Sequence, residues 1–236
     1  MIRKLLFIAL PLLVFAFFNL MAPAQADQAD WTEKKLGQVI LKADRAARRQ
    51  NWARAIKYGE QMLLGVQVLN QKSDARYIHL LKNLNRYYDK AGRLTEIGPR
   101  VAAAYRLSKA HLGLTHDTTM MSRHLYYKLL LAERKYREAI PLVRENIEIA
   151  QGSPKDPFRR LHFLEQLATL YGLTKQLEKE EKTLLQFLEM SRKILDATDE
   201  ENMNIILMLA QNYCRRQETE KFKKLAVQHH LKYFCK

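Results

Sequence analysis

Seven histidines, two cysteines and 25 acidic residues are the chemically versatile stock of this 236-residue chain, and their spacing points away from catalysis. No glycine-rich phosphate loop, no Gly-x-Ser-x-Gly elbow and no His-Glu-x-x-His pair occurs. His229 and His230 are adjacent, so on a helix their rings point about 100° apart and do not converge on a metal. Two cysteines are too few for a four-cysteine zinc site, and no histidine neighbours Cys214 in sequence to act as its base. These residues call for no cofactor, no metal and no catalytic group.

Charge is the stronger signal. Forty Lys and Arg against 25 Asp and Glu give a formal net charge of +15. The cations cluster at Lys42, Arg45, Arg48, Arg49 and Arg54, at Arg134, Lys135 and Arg137, and at Arg215, Arg216, Lys221, Lys223 and Lys224. In a cytoplasmic protein this balance would suggest nucleic acid. The N-terminus argues otherwise. Met1–Ala26 has Arg3 and Lys4, an apolar run from Leu5 to Leu20, and Ala24-Gln25-Ala26. That is the pattern of a secretory signal peptide cut after Ala26. The alternative is an uncleaved inner-membrane anchor, but Leu5–Leu20 is 16 residues broken by Pro11 and Asn19, whereas a span wants about 20. The expected product is a periplasmic chain, 27–236, of 210 residues and charge +13. Export removes nucleic acid as a partner and leaves acidic proteins or peptides, anionic membrane and envelope polyanions.

The elements that would carry these residues follow a repeat. Leu167-Ala168-Thr169-Leu170-Tyr171 has counterparts beginning at Tyr126, Leu84 and Lys42, and at Leu209, at steps of 41 or 42 residues. Ten residues after four of these anchors stand Trp52, Leu94, Tyr136 and Leu177. Five units of 42 fill the mature chain, at about 32–73, 74–115, 116–157, 158–199 and 200–236. Each unit reads as two amphipathic helices. In the third, Met121, Leu125, Leu129 and Ala132 form one stripe, and Tyr136, Ile140, Val143, Ile147 and Ala150 another. Turns within units fall at Arg48–Asn51, Lys90–Arg93, Glu133–Lys135, Thr174–Gln176 and Arg215–Glu218. No segment alternates with period two, so the class is all-α.

In these features the chain resembles the tetratricopeptide repeat (TPR) family, in its longer-spaced kinesin-light-chain-like variety. Leu167–Tyr171, Tyr136-Arg137-Glu138-Ala139 and the linker Leu112–Asp117 carry the likeness. Pro99 and Pro141, 42 apart, sit where such repeats often place proline and suggest a shared start of the second helix. Asn85 and Tyr127 stand where a small residue is expected, and Ile97, Glu180 and Phe222 replace an alanine. The resemblance implies a right-handed α-solenoid of about five helix-turn-helix units and a protein-binding scaffold.

The family's frame also implies which residues face the concave side. They are Lys82, Arg86, Lys90, His124 and Lys128 in the middle, with Arg48 and Arg215 towards the ends and Asp89 as the main compensating acid. The expected function is non-catalytic binding of an acidic protein or peptide in this basic groove. Two rivals are an envelope accessory holding anionic lipid or glycan, and a cell-wall enzyme using Glu165. If the last helix spans Thr219–Phe234, Leu231, Tyr233 and Phe234 leave an apolar patch suited to a homodimer. The same helix would separate Cys214 from Cys235 by about 18 Å in height, beyond the reach of a disulfide. Two separate thiols, or an intermolecular bond through Cys235, are therefore expected.

Overall fold

The computed structural model describes residues 31–69, 75–152, 157–195, 198, 200, 202–232 and 235. The leader Met1–Ala26, Tyr233 and Phe234 lie outside the described residues. The described chain is helical and contains no strand. Five consecutive helix pairs make it up: α1 (Glu33–Arg48) with α2 (Trp52–Val68), α3 (Ala75–Lys90) with α4 (Gly98–Leu112), α5 (Asp117–Ala132) with α6 (Tyr136–Gln151), α7 (Pro157–Leu173) with α8 (Leu177–Leu195), and α9 (Met203–Arg215) with α10 (Thr219–Gln228). Each helix packs on its successor, and α3 also packs on α5, giving an all-α solenoid.

Helix ends explain the pairing. Thr32 and Asn51 cap α1 and α2 by accepting the amides of Lys35 and Arg54, each at 3.1 Å. The first helix of every pair ends in a left-handed residue: Gln50, Gly92, Arg134, Lys175 and Gln217, with φ between 55° and 71°. These recur at 42, 42, 41 and 42 residues. The next amide reaches back five residues in each case, as from Asn51 to Ala46 and from Lys135 to Leu130, at 2.8–2.9 Å. This is the Schellman closure, which satisfies the last carbonyls and reverses the chain. Its register is cleaner than that of the apolar anchors, where Lys42 is exposed and Leu84 fully buried.

The core runs through the stack. Leu36, Ala43, Val66 and Leu84 join the first two pairs, Tyr105, Leu130, Val143 and Leu170 the next, and Leu184, Ile206 and Leu209 the last. Gly59 lets α2 approach α3: a Cβ there would lie 2.6 Å from Cδ1 of Leu84.

Three expectations change. First, the matched prolines do not share a helix start. Leu94–Ile97 is a separate 3-10 turn and α4 begins at Gly98, with Pro99 second, whereas Pro141 lies inside α6, which begins at Tyr136. Second, α10 stops at Gln228. His230 is left-handed (φ 51°) and the Leu231 amide reaches back to Ala226 at 2.9 Å, the same closure again. Leu231 then folds onto the core beside Phe222 and Leu225 and is not part of an exposed patch. Of the described apolar residues on α10, Val227 is the well-exposed one at 76%. Third, that reversal brings Cys235 back to Cys214, with Cα atoms 5.3 Å apart and a disulfide between them. The separate-thiol expectation failed because it drew the last helix six residues too long.

Candidate functional site

The residues expected on the inner face belong to the first helices of the leading pairs. On α1, Asp44 accepts the hydroxyl of Tyr87 on α3 at 3.1 Å. Burial, and then the Asp44 carboxylate, push that phenol up to about 12. His79, Lys82 and Arg86 lie earlier along α3. Lys82 is only 9% exposed, which corrects its expected place on the open surface. Burial and the neighbouring Arg86 pull its ammonium down, opposed by Asp117 of α5. His79 is lowered by burial and by Lys82, with Asp44 opposing and His116 and Arg86 adding to the fall.

On α5, His124 is likewise lowered by burial and Lys128, against Asp89. Lys128 is ion-paired with Asp89 of α3. Lys82 and Arg86 are thus neighbours on α3 and His124 and Lys128 neighbours on α5, with the Lys128–Asp89 pair joining the two helices. Asp44 and Asp117 join Asp89 as compensating acids. Arg86 itself is exposed and has no carboxylate partner among the described residues.

Arg48 and Lys90 lie at the C-terminal ends of α1 and α3, and both are exposed. Arg215 has a different task. Its Nη2 lies 2.6 Å from Oε1 of Glu180, which is 3% exposed and also accepts from Asn212 at 2.9 Å. Gly172 makes room: a Cβ there would sit 2.7 Å from that oxygen. The glutamate at an alanine position is therefore accommodated as a buried, paired carboxylate. Asn85 is accommodated in the same way, buried and accepting from Nε of Arg100 at 3.2 Å. Glu165 is exposed on α7, 3.9 Å from His162.

One network escaped the sequence reading. Arg123 is 2% exposed, donates from Nε to Asn146 at 2.7 Å, and lies 3.6 Å from Glu145. Tyr105 donates to Glu145, as does Lys109 at 2.6 Å. Burial pushes Glu145 up, but the bonds from Lys109 and Tyr105 outweigh it and hold the carboxyl below its ordinary value. These residues join α4, α5 and α6. A depression of about 430 Å³ lined by Arg134, Tyr136, Leu173 and Lys175 lies at the turn edge of the stack, away from Lys82 and His124. Among the described residues no three His, Cys, Asp or Glu side chains could hold a metal ion, and no helix is long and apolar enough to cross a membrane.

No protein-family profile matches the sequence, and no curated protein matches it. Solved structures do. The chain is similar to a Podosopora anserina protein described as a kinesin light chain with nearly identical TPR-like repeats, and to a single-substitution variant of that protein. Both superpose with a TM-score of 0.59 at 18% identity, over 83% of this chain and 93% of theirs. It is also similar to BtubC (BKLC) from P. vanneervenii, with a TM-score of 0.54 at 16% identity over 83% and 78% of the two chains. Stacked helix pairs, the Schellman turns recurring about every 42 residues and these superpositions lead to one conclusion: the chain has the TPR-like repeat fold of the kinesin-light-chain type.

Proposed function

We propose that the protein is an exported, non-catalytic scaffold that binds an acidic peptide or protein segment along the inner face of its second and third helix pairs. The observation that carries this reading is Arg86, exposed beside Lys82 and His79 and without a carboxylate partner among the described residues. Asp44 is engaged by Tyr87 and Asp89 by Lys128. Burial first, and then the neighbouring cations, depress the Lys82 ammonium and the His79 and His124 imidazoles, and an incoming carboxylate would favour their charged forms.

The solenoid suits extended ligands, because neighbouring first helices offer a long shallow surface. Export is supported by the leader pattern of Met1–Ala26 and by the Cys214–Cys235 disulfide, a bond that persists in oxidising compartments.

The test is a pull-down from cell-envelope extract with the purified protein as bait. The Arg86→Glu, Lys128→Glu double variant is expected to lose the bands that the parent retains, at unchanged helicity. Identical bands from both baits would move the binding surface off this face.

A further inference from the structure

Every acidic side chain described in the first helix pair is turned towards the second. Glu33 pairs with Arg76 at 2.7 Å. Asp44 accepts from Tyr87 at 3.1 Å, and Glu60 from both Tyr88 and Arg100 at 2.8 Å. Residues 31–69 hold eight Lys and Arg beside these three acids. Lys35 and Lys42 lie over the rings of Trp31 and Tyr58. Lys34, Arg45, Arg48, Arg49, Arg54 and Lys57 are exposed, with no carboxylate partner among the described residues.

The opposite end of the stack is arranged differently. There Arg215 pairs with Glu180, Arg216 and Lys221 pair with Glu181, and Lys223 pairs with Glu220. Most of the positive charge of the last pair is met by carboxylates, chiefly Glu180 and Glu181 of α8, whereas that of the first pair is left bare.

The bare cations have an order. Lys34, Gln38, Leu41, Arg45 and Arg48 follow at steps of three and four along α1, opposite the buried Leu36, Val39, Ala43 and Ala46. Leu41, in the middle of this row, is 55% exposed. Arg49 and Arg54 flank the turn that follows. A cationic helix face with an apolar residue at its centre is suited to the headgroup region of an anionic bilayer.

We propose that the outer surface of the first helix pair docks the protein on an anionic phospholipid surface, with Lys34, Arg45, Arg49 and Arg54 over the headgroups and Leu41 entering the interface. This surface draws on residues of the first helix pair and the turn between its helices, whereas the peptide site draws on residues of α3 and α5.

Co-sedimentation with vesicles tests it. The purified protein is expected to sediment with vesicles containing phosphatidylglycerol and not with phosphatidylcholine alone. Lys34→Glu, Arg45→Glu, Arg49→Glu should weaken binding about tenfold or more, and Leu41→Ser should weaken it further. A triple reversal of equal charge at Lys175, Lys182 and Lys224 should change it by about twofold at most. Equal loss in both triples, with helicity intact, would show a response to net charge and overturn the assignment of this face. Absence of binding to phosphatidylglycerol would overturn it too, as would soluble polyglutamate displacing the protein from vesicles as effectively as excess anionic lipid.

Discussion

Arg215 Nη2 stands 2.6 Å from Oε1 of Glu180, joining α9 to a carboxylate buried in the first turn of α8. Removing one partner leaves the other desolvated and alone. With the Arg215 side chain 43% exposed, the loss is smaller than for a fully buried pair. Arg215→Ala should cost about 2 kcal/mol and Glu180→Gln about 1 kcal/mol in urea unfolding. Neither should change binding of an acidic peptide, because Arg215 serves the joint.

Four of the five recurring left-handed positions carry a residue with a side chain. Gln50→Gly and Gln217→Gly should each stabilise the protein by about 0.5–1 kcal/mol, since glycine adopts φ near +55° without strain. Gly92→Ala should destabilise it by a similar amount. Thermal melts of the three variants check the sign, and a lower melting temperature for both glutamine variants would contradict it.

The Cys214–Cys235 bond closes a loop of 21 residues in sequence separation. Chain entropy assigns such a link about 3 kcal/mol. Cys235→Ser, or addition of dithiothreitol, should lower the melting temperature and free the Leu231 segment. Amide exchange at Leu231 should then rise well above that at Leu209. An unaltered melt under reduction would contradict this.

Acidification should act on stability and binding in opposite directions. His79 faces Asp44 of α1, Lys82 and Arg86 of α3 and His116 before α5, and His124 faces Lys128 and Asp89. Both imidazoles are held below 6.5, so the folded chain binds fewer protons than the unfolded one. Stability therefore falls as pH drops below 6.5 towards the folded values. Over that range the inner face gains charge, and affinity for polyglutamate should increase until the peptide's own carboxylates protonate. His79→Gln, His124→Gln should flatten both profiles.

The helix pairs and their 42-residue spacing were legible because apolar columns recur and turns interrupt them. The left-handed residues were harder to see, since Gln, Arg and Lys carry no conformational signature and only Gly92 does. Cys214–Cys235 was misjudged because nothing in Thr219–Phe234 announces a stop at Gln228: the closing residue is His230, another side chain that looks helical. Lys82 and Arg215 were read as surface cations for a related reason. Sequence periodicity gives a residue's face, but burial of Lys82 beside Arg86 and capture of Arg215 by Glu180 depend on a neighbouring unit. Arg123 and Glu145 gave no signal at all, since their network draws on three different helices.

The most direct measurement is the affinity of a fluorescein-labelled polyglutamate peptide for the parent protein and for Arg86→Glu, Lys128→Glu, followed by anisotropy across a salt series. An inner-face site predicts binding that weakens steeply with salt in the parent and falls about tenfold or more in the double variant, while Lys175→Glu, Lys182→Glu binds as the parent does. Equal affinity of parent and double variant, at matched helicity, would contradict the account.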